Sequence, residues 1–204
     1  TSAGGSDIFV LKLNSSGTFQ WVKTFGSASS DYGYGIAVDS SGNSYATGPF
    51  FLTVDFGGGD VTSAGFSDIF VLKLNSSGTF QWVKTFGSAS SDYGYGIAVD
   101  SSGNSYITGY YGNTIDFGGG NVTTNGNWDV FVLKLNSSGT FQWVNTYGGT
   151  ALDYGYGIAV DSSGNSYATG AFFLTVDFGG GAVTSAGGAD FYVLKLNSSG
   201  GGIE

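Results

Sequence analysis

The chain has 204 residues, of which 41% are hydrophobic and 17% aromatic, and this is enough apolar material for one domain with a sizeable core. Its 15 acidic residues outnumber its 6 basic ones and give a net charge of -9, so nucleic acid, which needs clustered basic side chains, is not expected as a partner. The chain contains no cysteine and no histidine, which excludes thiol chemistry, imidazole metal sites and the usual catalytic triads.

A tandem repeat of 61 residues dominates the sequence. The copies DIFVLKLNSSG, DIFVLKLNSSG, DVFVLKLNSSG and DFYVLKLNSSG begin at Asp7, Asp68, Asp129 and Asp190. The segment DYGYGIAVDSSGNSYATG at 31–48 returns with one change at 92–109 and unchanged at 153–170. Internal repeats of this length are typical of stacked or circular repeat folds.

The first copy predicts two β-hairpins in chain order. Residues 7–13 (DIFVLKL) and 18–25 (TFQWVKTF) are β-rich runs joined by the polar turn NSSG. Residues 34–39 (YGIAVD) and 44–48 (SYATG) form the second pair, and Gly42 and Asn43 between them tolerate the positive φ of a short turn. Apolar residues point to both faces of these strands, which predicts sheets covered on both sides.

The segment after each SYxTG is the variable part of the repeat. It covers residues 50–67, 110–128 and 171–189 and contains the glycine-rich DFGGG each time. We expect it to add an extra strand or flap to each repeat. Because the copies differ there, we also expect it to lie largely on the periphery or the upper face of the fold.

These signals predict an all-β fold, specifically a β-propeller built of near-identical repeats, each a four-stranded antiparallel blade. The small residues of YGIAVD suit an innermost strand near a central axis. A parallel β-helix is the alternative, but the short turns between paired strands favour antiparallel hairpins.

The residues resemble a known family. The run GIAVDSSGNSYATG, followed by SDIFVLKLNSSGTFQWVKTFG and SSDYGYG, is similar to the bacterial SBBP β-propeller repeats. The resemblance implies a propeller of the kind found in secreted or surface proteins of bacteria, and it implies no reaction. The long variable segment departs from the family pattern.

The resemblance also implies the phasing of the single repeat domain, 1–204. Blade 1 covers 34–86, blade 2 covers 95–147, and an incomplete blade 3 covers 156–198, preceded by an orphan outer hairpin at 7–25. A propeller normally needs four to eight blades, so we do not expect the ring to close within one chain. An assembly of several chains and an excised piece of a longer array both fit this pattern.

The candidate ligand-binding residues are an aspartate beside two tyrosines in each copy, and they could stack a sugar and accept its hydroxyls. They are Asp31, Tyr32, Tyr34, Asp92, Tyr93, Tyr95, Asp153, Tyr154 and Tyr156. The alternative is structural, with the aspartate bonding between blades and the tyrosines packing there. The DSSGN turn has oxygen ligands but not the spaced acids of an EF-hand, which favours a plain turn. We expect no enzyme, no cofactor and no metal.

Two functions follow, both at the bacterial surface or outside the cell. In the first, other copies of the chain share blade strands with it and form a ring or fibre through Phe9, Leu11, Phe19, Trp21, Phe191, Val193 and Leu196. The strand at 18–25 would complete blade 3 of a partner, and 191–196 would compete with 8–13 for the adjacent place. In the second, the chain is a multivalent glycan-binding module. No apolar run is long enough for a membrane span.

Overall fold

All regular secondary structure in the computed structural model, which describes residues 2–202, is β-strand. The first strands are β1 (Ile8–Leu13), β2 (Phe19–Phe25), β3 (Gly35–Val38), β4 (Ser44–Phe50), β5 (Thr53–Asp55), β6 (Asp60–Thr62), β7 (Asp68–Leu74) and β8 (Phe80–Phe86). They are followed by β9 (Tyr93–Val99), β10 (Ser105–Asp116), β11 (Asn121–Leu135), β12 (Phe141–Tyr147), β13 (Tyr154–Val160), β14 (Ser166–Asp177) and β15 (Ala182–Leu196). Over the described residues, no helix is long and apolar enough to cross a membrane.

Antiparallel pairing groups the strands into sheets that recur along the chain. The N-terminal hairpin consists of β1 and β2. Sheet 1 has the order β3-β4-β7-β8, sheet 2 has the order β9-β10-β11-β12, and sheet 3 has the order β13-β14-β15. The prediction of an all-β, antiparallel, propeller-like repeat fold is therefore confirmed at this level.

The NSSG turns close their hairpins through the same local hydrogen bonds in each copy. Asn14 Oδ1 accepts hydrogen bonds from the backbone N–H groups of Ser16 and Thr18, at 3.0 and 2.8 Å. Gly17 has a φ of 79°, a left-handed conformation that glycine adopts without steric cost. Asparagine and glycine at these positions thus fix the register of the hairpin.

The variable segments form arms that extend the two middle strands of each sheet. In sheet 2 the arm continues β10 and β11, and in sheet 3 it continues β14 and β15. In sheet 1 the arm is the separate hairpin β5–β6. The expected extra strand or flap is therefore mainly a continuation of existing strands. The GGG tips are exposed, but Val54 and Phe56 before the first tip are buried, so the arm also contributes to the core.

Apolar cores lie between consecutive sheets, and an aromatic residue of each arm anchors it to the outermost strand of the preceding unit. The ring centroids of Phe56 and Phe25 lie 5.7 Å apart, and those of Phe117 and Phe86 lie 5.6 Å apart. Phe178 makes the equivalent contact with Tyr147 at 5.8 Å. The arm therefore joins neighbouring sheets.

A polar contact also joins each unit to the next. The ammonium group of Lys12 donates to the carbonyl oxygen of Ser76 at 2.7 Å, and Lys73 donates to Ser137 in the same way at 3.0 Å. The indole N–H of Trp21 also donates to Ser76, at 3.2 Å. Because the same pairs recur one repeat later, consecutive units stack through one repeated interface.

Candidate functional site

The aspartates of the DYGYG segments are buried, and their carboxylates accept hydrogen bonds from backbone N–H groups. Asp31 Oδ2 accepts from the N–H and the hydroxyl of Ser27, and Asp31 Oδ1 accepts from the N–H of Phe51 at 2.7 Å. Asp92 and Asp153 make the equivalent backbone contacts in their own copies. These carboxylates connect the end of one unit to the second strand of the next unit.

The junction between sheets 1 and 2 and the junction between sheets 2 and 3 each hold a second buried carboxyl near the first. Burial, with a smaller contribution from the neighbouring Asp68, raises the pKa of Asp92 to about 6 in spite of the hydrogen bonds that lower it. Burial likewise raises the pKa of Asp129 to about 6, with a contribution from Asp153. Within residues 2–202, the Oδ1 atoms of Asp68 and Asp129 are buried without a hydrogen-bond partner. The junctions therefore favour the protonated form of these carboxyls more than water does.

The DSSGN turns satisfy their own aspartates. Asp39 Oδ1 accepts from the N–H groups of Ser41 and Asn43, both at 2.9 Å, and Asp39 Oδ2 accepts from the Asn43 amide at 2.7 Å. Burial acts to raise the pKa of Asp39, but these hydrogen bonds outweigh it and hold the pKa below its ordinary value. Both carboxylate oxygens of Asp39 are thus engaged by hydrogen bonds within the turn.

The tyrosines of the DYGYG segments form an aromatic ladder across the three sheets. The rings of Tyr34 and Tyr95 stack at 4.9 Å with an interplanar angle of 4°, and Tyr156 meets Tyr95 edge-on at 5.6 Å. Tyr34 and Tyr156, at the two ends of the ladder, are 46% and 50% exposed. The ladder therefore ends in two exposed rings, with Tyr95 half-buried between them.

The remaining predicted tyrosines flank the ladder. Tyr32 stacks on Tyr34 at 5.7 Å, and Tyr154 stacks on Tyr156 at 5.9 Å. In the second and third copies the tyrosines of DYGYG belong to strands, because Tyr93 and Tyr154 begin β9 and β13. Pairing with β10 and β14 extends these strands in spite of their alternating glycines.

Two further aromatic residues, which the sequence reasoning missed, join this cluster in sheet 2. Tyr110 stacks on Trp128 at 4.7 Å and lies 5.0 Å from Tyr93 and 5.2 Å from Tyr154. The sequence does contain a signal for them, because only the second copy has aromatic residues at these two positions of the variable segment. The first and third copies have alanine, serine or proline there. The cluster is therefore largest at the second copy.

The N-terminal end of the stack exposes apolar residues whose counterparts in the next repeat are buried inside the stack. Phe9 of β1 is 66% exposed, whereas its counterpart Phe70, 61 residues later, is 0% exposed. Ile36 of β3 is 58% exposed, whereas its counterpart Ile97 is 7% exposed. Leu11 and Phe19 of the predicted interface are exposed as well. This end thus presents an uncovered copy of an internal contact surface.

The other end of the stack exposes the opposite face. Phe191 and Val193 of β15 are 82% and 71% exposed, whereas their counterparts Ile69 and Val71 in sheet 1 are fully buried. Two predicted interface residues, by contrast, already have partners within the chain. Trp21 is half-buried against Ser76, and Leu196 is buried in the core between sheets 2 and 3.

Free strand edges accompany these two faces. Over the described residues, β1 pairs only with β2, and the outer edge of β15 carries only an isolated bridge from Leu196 to Gly202. A groove of about 460 Å³ runs beside β1 and is lined by residues that include Ile8, Val10 and Ile36. Exposed edges of this kind pair readily with further strands.

Comparison with known proteins supports the repeat. The family model described as SBBP, a beta-propeller repeat, matches residues 20–48, 81–110 and 142–171. The uncharacterized WD repeat-containing protein L264 of Acanthamoeba polyphaga mimivirus is 27% identical to the chain in an alignment 184 residues long that covers 79% of the chain. The chain spans 13% of the length of that relative. The three matches confirm the resemblance that the sequence predicts.

Proposed function

Because the chain carries three repeats of the SBBP beta-propeller family, we propose that it is a non-enzymatic structural module whose copies join head to tail. Each four-stranded sheet serves as a blade, and strands shared between chains build a ring or a fibre. We place this assembly outside the cell or at the bacterial cell surface.

The carrying observation is that the two exposed ends are the two halves of one interface. Inside the chain, Ile97 of sheet 2 packs in one core with Tyr45 and Ile69 of sheet 1. Sheet 3 exposes Phe191, which is the counterpart of Ile69. Sheet 1 exposes Ile36, which is the counterpart of Ile97. A second copy placed one repeat further along would cover the exposed face of β3 by the contact that the chain already makes twice. Such a head-to-tail contact propagates until it closes.

A charge on the exposed face of β3 should prevent assembly. We expect the unmodified chain to associate in sedimentation experiments, with a mass that grows with concentration. The Ile36→Glu variant should associate at least about tenfold more weakly, because burying an unpaired carboxylate costs more than the apolar contact contributes. Phe66→Glu is the matched control, since Phe66 is 76% exposed outside both end faces. A chain that stays monomeric at every concentration contradicts the proposal.

Deletion of residues 1–25 should also abolish assembly. The deletion removes the N-terminal hairpin, which carries Phe9 and one free strand edge. It also uncovers Phe56 and Phe70, which pack against Ile8 in the core between the hairpin and sheet 1. Sedimentation should therefore be read together with circular dichroism. A folded deletion variant with the mass of the full assembly would exclude strand sharing by the hairpin.

A multivalent glycan-binding module is the second candidate, and the aromatic ladder favours it. Partly exposed tyrosine rings such as Tyr34 and Tyr156 are suited to contact sugars, and repeated weak sites reinforce one another. A glycan array tests this function. The two candidates differ in one respect: assembly covers Tyr34 and Tyr156, whereas glycan binding needs both rings free.

A further inference from the structure

We propose that the copies join by strand exchange, in which the N-terminal hairpin of one copy replaces residues 191–196 beside β14 of the next. In the exchanged arrangement β13 and β14 of that second copy cover the exposed face of β3. This inference rests on the proposed head-to-tail assembly and adds its mechanism. The groove beside β1 is the place that β14 of the second copy would occupy.

A series of tyrosine contacts sets the register of the exchange. In sheets 1 and 2, the hydroxyl of the second-strand tyrosine lies within hydrogen-bond reach of a glycine carbonyl in the next sheet. The internal pairs are Tyr45 with Gly103 and Tyr106 with Gly164, at 3.3 Å in both cases. Tyr167 is the next tyrosine in the series and has no such carbonyl within residues 2–202, while Gly42 at the other end has no such hydroxyl. The exchange brings Tyr167 of one copy to Gly42 of the other.

Lysines of the third strands point to the same register. The ammonium groups of Lys73 and Lys134 lie over the rings of Tyr45 and Tyr106, at 4.9 and 5.0 Å. Lys12 is the equivalent residue of β1, and in the part of the chain that the structure describes it lies over no ring. Tyr167 is the ring that the exchange offers to Lys12, although within one chain Lys195 lies over it at 5.3 Å. β1 and β15 therefore compete for one place.

The exchange also completes the aromatic ladder. Tyr156 of one copy would reach Tyr34 of the other by the same one-repeat step that joins Tyr34 to Tyr95 and Tyr95 to Tyr156. Ile36 would be covered by Tyr167, as Ile97 is covered by Tyr45 within the chain. The exposed rings and the exposed part of β3 then become buried together.

Replacing β15 by β1 conserves the core that lies against sheet 2. Leu194 and Leu196 of β15 are buried there with Val130 and Val132. Their counterparts in β1, Leu11 and Leu13, are the same residue type and are 44% and 48% exposed. The exchange thus substitutes like for like in this core: Leu11 and Leu13 become buried while Leu194 and Leu196 of the displaced strand leave it. β1 also brings β2 with it, which supplies the fourth strand of the sheet.

A disulfide that fastens β15 to β14 should block the exchange. Ser166 and Leu196 are opposite one another in the sheet, so Ser166→Cys with Leu196→Cys is placed to form a bond within the chain. Because the native chain has no cysteine, no other thiol interferes. We expect the oxidised variant to remain monomeric and the reduced variant to assemble. If the oxidised variant assembles fully, strand exchange is wrong while head-to-tail assembly stands.

The matched control locks an internal pair instead. Ser44 and Leu74 are the equivalent residues in sheet 1, and Ser44→Cys with Leu74→Cys should leave assembly unchanged in both redox states. If this control also loses assembly on oxidation, the effect of the first lock is not specific to β15 and the exchange loses its support. If the unmodified chain never assembles, the proposed function fails together with the inference.

A second pair of cysteines traps the exchanged state. Ser44 lies opposite Leu74 in sheet 1. The exchange would place the equivalent residues, Ser166 of one copy and Leu13 of the other, opposite one another in the same way. Oxidation of the Ser166→Cys, Leu13→Cys variant should give covalent dimers and longer chains in mass spectrometry and on non-reducing gels. A crosslink confined to single chains would show that the molecule closes on itself and would exclude a second copy as the partner. An assembling variant without crosslinks would exclude the exchange.

Discussion

Replacing Gly109 by alanine is expected to destabilise the protein by roughly 3–5 kcal/mol, the range of severe core substitutions. A methyl group on Gly109 would overlap the carbonyl oxygen of Tyr93 and lie 2.9 Å from Cε1 of Phe131. Tyr93 cannot retreat easily, because it pairs with Tyr110 in β10, next to the bulge between Thr108 and Gly109. Chemical denaturation monitored by tryptophan fluorescence measures the loss.

Gly188→Ala is the matched control for this substitution. A methyl group on Gly188 would meet no atom within 4 Å, so we expect its stability to lie within about 0.5 kcal/mol of the native chain. Gly48 and Gly170 make the same close approach to Tyr32 and Tyr154, which explains the glycine of each SYxTG. A Gly109→Ala variant as stable as the native chain would mean that β9 packs less closely on β10 than the structure has it.

The strands and their turns are the part of the fold that the sequence predicts well. Each NSSG turn is a local structure, because Asn14 bonds the N–H groups of Ser16 and Thr18 and Gly17 supplies the positive φ. The flanking runs have the β-branched and aromatic composition of strands. Structures that depend on only four or five neighbouring residues can be predicted from the sequence, and in this chain the repeat shows each such pattern several times.

The arms were harder to predict because their role depends on residues far away in the chain. The sequence pattern treats the variable segment as one peripheral unit. In the structure Phe56 turns inward to Phe25, which belongs to the preceding hairpin, while the glycine tip stays exposed. Sequence variation does not separate an anchoring phenylalanine from a free tip. Only the packing of one sheet on the next separates them.

The candidate site shows the same division between local and long-range information. The sequence indicates that aspartate and tyrosine occur together, but the partner of Asp31 is the N–H of Phe51, and no local pattern points to it. Tyr110 and Trp128 lie 18 residues apart and stack only because β10 and β11 are paired. The exposed ends, by contrast, follow from the repeat itself, since a stack of copies has two complementary end faces.

The protein is expected to become more stable as the pH falls from 7 to about 4.5. Burial raises the folded-state pKa of Asp92 and Asp129 to about 6, above the value of 3.8 for a free aspartate. The folded state therefore holds protons that the unfolded state releases in this range, and each group contributes about 1–3 kcal/mol below pH 3.8 that is lost as the pH rises through 6. Asp39 and Asp100, with lowered pKa values, act in the opposite direction below pH 3.8.

The Asp129→Asn variant tests the origin of this pH dependence. Asp129 Oδ2 accepts from the N–H of Asn125 at 2.9 Å, and an amide oxygen can keep this bond while the amide nitrogen takes the position of Oδ1, which is free of partners among residues 2–202. The variant carries no buried charge at neutral pH. We expect it to be more stable than the native chain at pH 7 by about 1–2 kcal/mol and to depend less on pH, in urea denaturation at several pH values. Asp60→Asn, at an exposed position in β6, is the matched control for the loss of one negative charge. If Asp129→Asn keeps the native slope between pH 4.5 and 7, the buried carboxyl at this junction is not what sets it.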